Sequence, residues 1–332
     1  MNQFIWIDAK LNYNDYNMYI RGNKLRYCYY NISPFERFNG LKLKAYRFIY
    51  SIKINNRIQI PFRHICNRFI LDDNAINLLK SNDNICFIFD GSSYRFVDSR
   101  FHLYLKKKYP NCKLVFLFDG KVTIFSDEYK RFNIEQLKNE FDLVLTYSPI
   151  DVKKYNLTFS RPKIINFQEV NLKNDLYPSD VFFIGMAKDR LNEIHHIYEV
   201  LTQFGLKCDF YIVGVSEKDM KYKEKISYNK RISYDDVLKH VANTKCVLNI
   251  MEKGNSGITL RDYEAIFFQK LILTNNYDFK GSPLYDANNV LFADDLFKAA
   301  EVIKASNPPI RWVANEEYSM EMYFRWLSER LC

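Results

Sequence analysis

The stretch GNSGITLRDYEAIFFQK (254–270) follows one apolar run, KCVLNIM (245–251), and precedes another, LILTNN (271–276). The chain has only ten glycines, and two of them, Gly254 and Gly257, fall here. The pattern reads as a buried strand that leaves through a glycine-containing loop into a helix. The first turn of such a helix carries backbone N–H groups without intrahelical partners and the positive end of the helix dipole. Glycines, lacking a Cβ, let a ligand come close to that backbone. Together these features make an anion site, most often for phosphate. Ser256 and Thr259 can cap the helix or donate to the same phosphate. Arg261 falls in the first helical turn, where the dipole disfavours a cation unless an anion lies between them. Glu264 is one turn further along the same face. A plainer reading makes these residues an ordinary helix start: Thr259 as N-cap, Asp262 completing a capping box, Arg261 and Glu264 as a surface pair. The spacing leaves both readings open.

Outward from this stretch the same alternation recurs. ICFIFDG (85–91), KLVFLFDG (113–120) and DLVLTYS (142–148) are short apolar runs, and SRFHLYLKKKYP (99–110) and IEQLKNEF (134–141) between them have helical spacing. After a polar connector, RPKIINFQEVNLKNDLYPSD (161–180), the series restarts with VFFIG (181–185), LNEIHHIYEVLTQF (191–204), CDFYIVG (208–214) and YDDVLKHVANT (234–244). NVLFA (289–293) and LFKAAEVIKAS (296–306) close it, and an amphipathic stretch, NEEYSMEMYFRWLSERL (315–331), comes last. Continuous apolar strands alternating with helices predict parallel sheets covered on both faces. Two such series predict an α/β chain of two Rossmann-like domains, 1–165 and 175–312, with strand carboxyl ends facing a central cleft. Residues 1–80 fit this scheme less well, beyond a strand at FIWID (4–8).

Composition narrows the class. At 332 residues the chain exceeds the size at which one core usually splits, and 48% hydrophobic residues are enough for two cores. The net charge of +9 is unevenly placed: between Arg21 and Arg68 eleven Lys and Arg face one acid, Glu36, so the rest of the chain sums to −1. A basic, aromatic-rich segment over 21–68 suits an anionic partner such as lipid head groups, nucleic acid or a phosphorylated substrate. Its bland reading is a solvated, strongly twisted β region with charged edges. Seven scattered cysteines without CxxC spacing point to free thiols in a reducing compartment. The start, MNQFIWIDAKLNYNDY, has no leader pattern, and no run approaches the ~20 apolar residues that span a bilayer. The expectation is a cytoplasmic protein, at most peripheral on a membrane.

A second anion candidate is FFIGMAKDR (182–190), where Gly185 ends a strand and Lys188 and Arg190 follow just before a helix. With that motif in place, IGMAKDR…FYIVG…ISYDDVLKHVANTKCVLNI…GNSGITLRDYEAIFFQKLILTNN resembles the nucleotide-sugar half of GT-B glycosyltransferases, above all bacterial enzymes that build lipopolysaccharide, O-antigen and capsule. The family pattern Ser-Gly-x-Thr-x-Arg-x-x-Glu-Ala falls on Ser256, Gly257, Thr259, Arg261, Glu264 and Ala265. The resemblance covers 140–280 well, 84–140 loosely and 1–80 hardly at all. It implies that Ser256, Gly257, Thr259 and Arg261 contact a donor diphosphate and that Glu264 accepts from ribose hydroxyls. It further implies that Gly185, Lys188 and Arg190 line the phosphate side, that Gly214 lies near the base, and that a helix over 313–332 returns to the N-terminal domain. Gln269 stands where the family has glycine. The pair of glutamates eight positions apart found in many retaining members is absent, since the eighth residue before Glu264 is Ser256 and the eighth after is Ile272.

An inverting route needs a base near the acceptor. Asp90 and Asp119, at predicted strand ends, and His102 are the candidates, Asp90 first because sites gather at strand carboxyl ends. Each also has a structural reading, as a turn Asp before Gly or a histidine on a helix face. The resemblance implies a nucleoside-diphosphate sugar as substrate, no cofactor and no metal. It implies an acceptor that is an oligosaccharide or lipid-linked, reached on an anionic membrane surface through 21–68. The alternatives are a nucleotide-sugar epimerase on the same fold, or a basic nucleic-acid-binding protein, against which stands the lack of any recognised nucleic-acid module.

Overall fold

The computed structural model describes residues 3–7, 29–32, 39–58, 60, 85–94, 100–118, 120–130, 132–163, 176, 178–254, 257–307 and 309–331. The chain forms two compact units, Met1–Arg161 with Glu321–Cys332, and Pro162–Met320.

The first unit holds a six-stranded sheet of β1 (Gln3–Ile7), β2 (Tyr29–Ile32), β3 (Ile85–Asp90), β4 (Lys113–Phe118), β5 (Leu143–Thr146) and β6 (Thr158–Phe159), in the order β2-β1-β3-β4-β5-β6. All neighbours run parallel. Every residue of β3 is buried, as a strand covered on both faces must be, which is why ICFIF reads as an unbroken apolar run before Asp90. The helices are α1 (Gly40–Ile49), α2 (Ile52–Arg57), α3 (Gly91–Tyr94), α4 (Phe101–Lys108), α5 (Val122–Glu128), α6 (Ile134–Glu140) and α7 (Pro149–Tyr155). The core under them is largely aromatic. Phe89, Phe116 and Phe141 meet edge to face at 5.4 and 5.6 Å, a geometry that adds about 0.5–1.5 kcal/mol per pair beyond area burial.

The second unit repeats the architecture with β7 (Ser179–Met186), β8 (Cys208–Val213), β9 (Ser227–Tyr228), β10 (Thr244–Asn249), β11 (Leu271–Thr274) and β12 (Val290–Phe292). Its order is β12-β11-β10-β7-β8-β9, again all parallel. Its helices are α8 (Leu191–Gln203), α9 (Tyr234–Ala242), α10 (Leu260–Phe267), α11 (Leu296–Ala305) and α12 (Ala314–Glu317). A last helix, α13 (Met320–Leu331), lies almost wholly in the first unit. There Phe324 stacks on Phe4 of β1 at 4.6 Å, and the Tyr323 hydroxyl lies 3.4 Å from Ser160 Oγ.

In each sheet the chain builds outward on one side of its first strand and then returns to build on the other. That reversal lies between β1 and β3 in the first unit and between β7 and β10 in the second. Open α/β sheets bind ligands at the carboxyl ends of the strands at this switch point.

The segment 21–68 differs from the bland expectation. Where it is described, its only strand is Tyr29–Ile32, and Gly40–Ile49 and Ile52–Arg57 are helices. LKLK at 41–44 alternates with the strand period of two, but the helix is anchored by Tyr46 and Tyr50. These are buried four residues apart and stacked at 4.4 Å. The four cysteines described, Cys86, Cys112, Cys208 and Cys246, are free, and burial pushes the Cys112 thiol up to about 11.

Candidate functional site

At the switch point of the second unit three strand ends converge. β7 runs out through Gly185 and Met186 into a 3₁₀ turn, Lys188–Arg190. β10 exits through Ile250–Gly254, and β11 through Asn275–Asp278. Around these exits lies a cavity of about 380 Å³, lined by Asp189, Arg190 and Glu193 after β7, Met251–Gly254 after β10, and Asn275–Asp278 after β11.

Arg190 ties the first two exits together. Its Nε and Nη2 donate to the Met186 carbonyl at 3.2 and 3.0 Å, and its Nη1 donates to the Ile250 carbonyl. Burial lowers its pKa below the ordinary guanidinium value, opposed by Glu252, Asp189 and Glu193. The side chain passes so close to Gly185 that a Cβ there would stand 3.0 Å from Nη2 and 3.2 Å from Phe183 Cζ, which explains a glycine at the end of β7. Lys188 Nζ is paired with Glu252 Oε1 at 2.6 Å. The Asp189 carboxylate accepts from the Lys253 amide at 3.2 Å. Thus Gly185 lies against Arg190, Lys188 reaches the cavity through Glu252, and Arg190 and Gly254 line it, although the cations carry local partners.

The helix start after β10 is closed by its own cap. Thr259 N and Oγ1 donate to Asp262 Oδ2 at 2.8 and 3.0 Å, and Asn249 Nδ2 donates to Asp262 Oδ1 at 2.7 Å. This is the capping box of the plainer reading. The single hydroxyl proton of Thr259 is engaged within the protein, not offered to a phosphate. Asp262 is fully buried, and burial outweighs its donors and carries its carboxyl up to about 6. Gly257, at φ +85°, donates its amide to Asp278 Oδ2 at 3.2 Å, and its carbonyl accepts from Asn276 Nδ2 at 2.8 Å. Positive φ at both Gly254 and Gly257 is the left-handed conformation that glycine adopts without strain. Ser256 lies outside the described residues.

Arg261 and Glu264 pair with each other, Nη1 donating to Oε2, but they are not a surface pair. Glu264 is fully buried, and its Oε1 accepts from the Tyr234 hydroxyl of α9 at 2.8 Å. Burial raises its pKa, while Arg261 and then Tyr234 pull it down. Both carboxylate oxygens therefore have protein partners where the resemblance expects ribose hydroxyls. Gly214, at φ +80° just after β8, donates its amide to Asn229 Oδ1 at 2.8 Å.

In the first unit Asp90 ends β3, and its Oδ2 accepts from Trp6 Nε1 of β1 at 3.3 Å. It therefore lies at that sheet's own switch point, across the β1–β3 seam. His102 is fully buried on α4, with Nε2 2.8 Å from Glu140 Oε2 and its ring 4.9 Å from Phe141. That is a core histidine, closed to a substrate by its burial. Asp119 lies outside the described residues. The residues that sequence reasoning missed are Asn275, Tyr277 and Asp278. Their signal was their place after the LILT strand, at a carboxyl end like those of β7 and β10.

No family model and no curated protein matches the sequence. Solved structures do match in three dimensions. A UDP-forming α,α-trehalose-phosphate synthase from Burkholderia xenovorans aligns over 100% of this chain and 99% of its own, with a TM-score of 0.56 at 10% identity. The trehalose-6-phosphate synthase OtsA aligns over 99% and 96%, with a TM-score of 0.53 at 11% identity. TarM aligns over 81% of this chain, with a TM-score of 0.50 at 14% identity, and the match spans only 58% of the TarM chain. The fold is GT-B. Two parallel sheets, each with its reversal of strand order, are its two Rossmann-like halves.

Proposed function

We propose that the protein transfers a glycosyl group from a nucleoside-diphosphate sugar to an acceptor hydroxyl of a bacterial surface glycan of the lipopolysaccharide, O-antigen or capsule type. The observation that carries the reading is the cavity at the β7–β10 switch point. Its volume, about 380 Å³, falls within the range of small-ligand sites, roughly 300–1,000 Å³. The name of the Burkholderia xenovorans neighbour, UDP-forming, supports UDP as the first nucleotide to test. In the transfer the acceptor oxygen bonds to the anomeric carbon as that carbon's bond to the diphosphate oxygen breaks. Asp90 takes the acceptor's proton. The Lys253 side chain and the Gly254 backbone at the cavity's edge stabilise the leaving diphosphate, a role that needs no metal.

Thermal unfolding with UDP, GDP, CMP, TDP and ADP tests the donor site. One nucleotide is expected to raise the midpoint, by about 2.7 kcal/mol of stabilisation at a concentration 100 times its Kd. Lys253→Ala should reduce that rise. A flat response to all five nucleotides would refute the donor site. Turnover of the sugar nucleotide that needs no acceptor would favour an epimerase instead.

The same reading puts the protein on an anionic membrane surface. Between Asn39 and Ile58 there are five cations, Lys42, Lys44, Arg47, Lys53 and Arg57, and no acid. On α1 and just past α2, Leu41, Phe48 and Ile58 are 83, 62 and 70% exposed, so apolar and cationic groups share one helical hairpin. No described helix is long and apolar enough to cross a membrane. Each basic residue near an anionic leaflet contributes about 1 kcal/mol. Replacing Lys42, Lys44 and Arg47 by Glu should therefore weaken cosedimentation with vesicles of phosphatidylglycerol and phosphatidylcholine by on the order of 100-fold or more. Equal binding to pure phosphatidylcholine vesicles, insensitive to salt, would count against the membrane role.

A further inference from the structure

The lining of the switch-point cavity has a chemical sign. Four carboxylates border it, Asp189, Glu193, Glu252 and Asp278, against two cations, Arg190 and Lys253. Lys188, beside the lining, pairs with one of the four, and the excess that remains is three carboxylates against two cations. The Arg190 guanidinium is engaged by the Met186 and Ile250 carbonyls, and Lys188 is paired with Glu252. The other acids are held in place by one contact each. Glu193 Oε1 accepts from Asn275 Nδ2 at 3.0 Å, Asp189 from the Lys253 amide and Asp278 from the Gly257 amide. A carboxylate has about four acceptor positions, so each anchored acid still offers acceptors. The cavity is thus fixed, acceptor-rich and net negative.

One wall is aromatic. Tyr277 is 49% exposed at the cavity and stacks parallel on Phe292, with ring centroids 5.1 Å apart and planes 2° apart. Lys280 Nζ lies 5.4 Å from its ring centroid and 4.8 Å from that of Phe292, so the stacked pair is held in place. A rigid aromatic surface beside convergent carboxylates suits a ring that is apolar on its faces and rich in hydroxyl donors at its rim. It does not suit an anion.

We infer that this cavity receives the glycosyl ring of the donor, not its diphosphate, and that it selects neutral or amine-bearing sugars against acidic ones, with Tyr277 as the wall on which the ring rests. This rests on the donor reading above and adds the class of sugar. The diphosphate is left to Lys253 and the Gly254 backbone at the cavity's edge.

The experiment is calorimetric titration of the full chain with three ligands on one base: UDP, UDP-glucose and UDP-glucuronate. UDP-glucose is expected to bind more tightly than UDP, and UDP-glucuronate at least about tenfold more weakly than UDP-glucose, because a like charge placed among carboxylates is repelled. Glu193→Gln, which keeps an oxygen for Asn275, should raise the affinity for the glucuronate severalfold relative to that for UDP-glucose. Tyr277→Ala should bring UDP-glucose down to the affinity of UDP. Wild-type protein that binds UDP but takes glucuronate as well as glucose overturns this inference and leaves the donor reading standing. The inference also falls if Tyr277→Ala and Glu193→Gln both keep wild-type sugar preference. Wild type that binds no uridine, guanosine or adenosine diphosphate overturns both.

Discussion

Arg261→Ala is expected to lower the unfolding free energy of the Pro162–Met320 unit by about 3–5 kcal/mol, the usual cost of removing one partner from a buried ion pair. The reason is Glu264. Its side chain is fully buried, and the Arg261 guanidinium, more than the Tyr234 hydroxyl, stabilises its charged form. The guanidinium also lies over the Phe182 ring, 6.0 Å from its centroid, so truncation removes packing as well as charge. Adding Glu264→Gln to Arg261→Ala should recover more than half of the loss. The amide oxygen still accepts from Tyr234, and no charge is left buried. The pH dependence has a definite sign. Burial already raises the Glu264 pKa, and removing Arg261 raises it further. A carboxyl whose folded pKa lies above its unfolded value favours the folded state below the unfolded pKa, and that advantage is lost as pH rises through the folded pKa. The deficit of Arg261→Ala should therefore be small near pH 4 and full near pH 8. Urea titrations of the single and double variants at both pH values check this. A deficit independent of pH, or one that Glu264→Gln does not relieve, would mean that the pair is not what holds α10 to α9.

The reach of the sequence shows in which residues it placed and which it did not. ICFIF, LVFLF and FYIV were legible as strands because burial on both faces leaves no polar position in the run. The helix over LKLK at 41–44 was not legible, because that alternation matches a strand. What makes the segment helical is the Tyr46–Tyr50 stack against a core that the sequence does not display. The spacing of Arg261 and Glu264 correctly put them on one face of α10. It did not reveal that α9, some thirty residues upstream, covers that face and turns a surface pair into a buried one. The cap was present in the spacing as the duller of two readings, and the structure forms it. The cavity was half legible. Arg190 and Gly254 were found from local motifs, but Tyr277 and Asp278 join them only because β11 lies beside β10 and β10 beside β7. Strand order is set by crossovers that local sequence does not encode, so residues on a third strand end stay invisible until the sheet is assembled.

The same logic of assembled sheets separates the base candidates, and it gives the largest expected kinetic effect. Asp90→Asn should reduce turnover by about 10²–10⁴-fold, the range for removing a general base, with little change in stability. The asparagine oxygen still accepts from Trp6 Nε1, and the side chain keeps its volume at the end of β3. Asp90 is 8% exposed at the β1–β3 switch point, where a carboxylate can be fixed by the protein and still meet a substrate. His102 makes the opposite case. It is fully buried and bonded to Glu140, so His102→Gln should cost stability and leave the turnover of the folded fraction near wild type. Release of nucleoside diphosphate in the presence of an acceptor, measured beside the thermal midpoint for both variants, distinguishes the two. The expected pattern is crossed, with activity lost and midpoint kept for Asp90→Asn, and midpoint lowered with activity kept for His102→Gln. A pH–rate profile adds a test that a merely structural role would not meet, since removing the base should abolish the acidic limb along with the rate. If Asp90→Asn turns over within a few-fold of wild type, the proton goes elsewhere, and the conserved volume and Trp6 contact mark Asp90 as a strand-end residue that only closes the seam between β1 and β3.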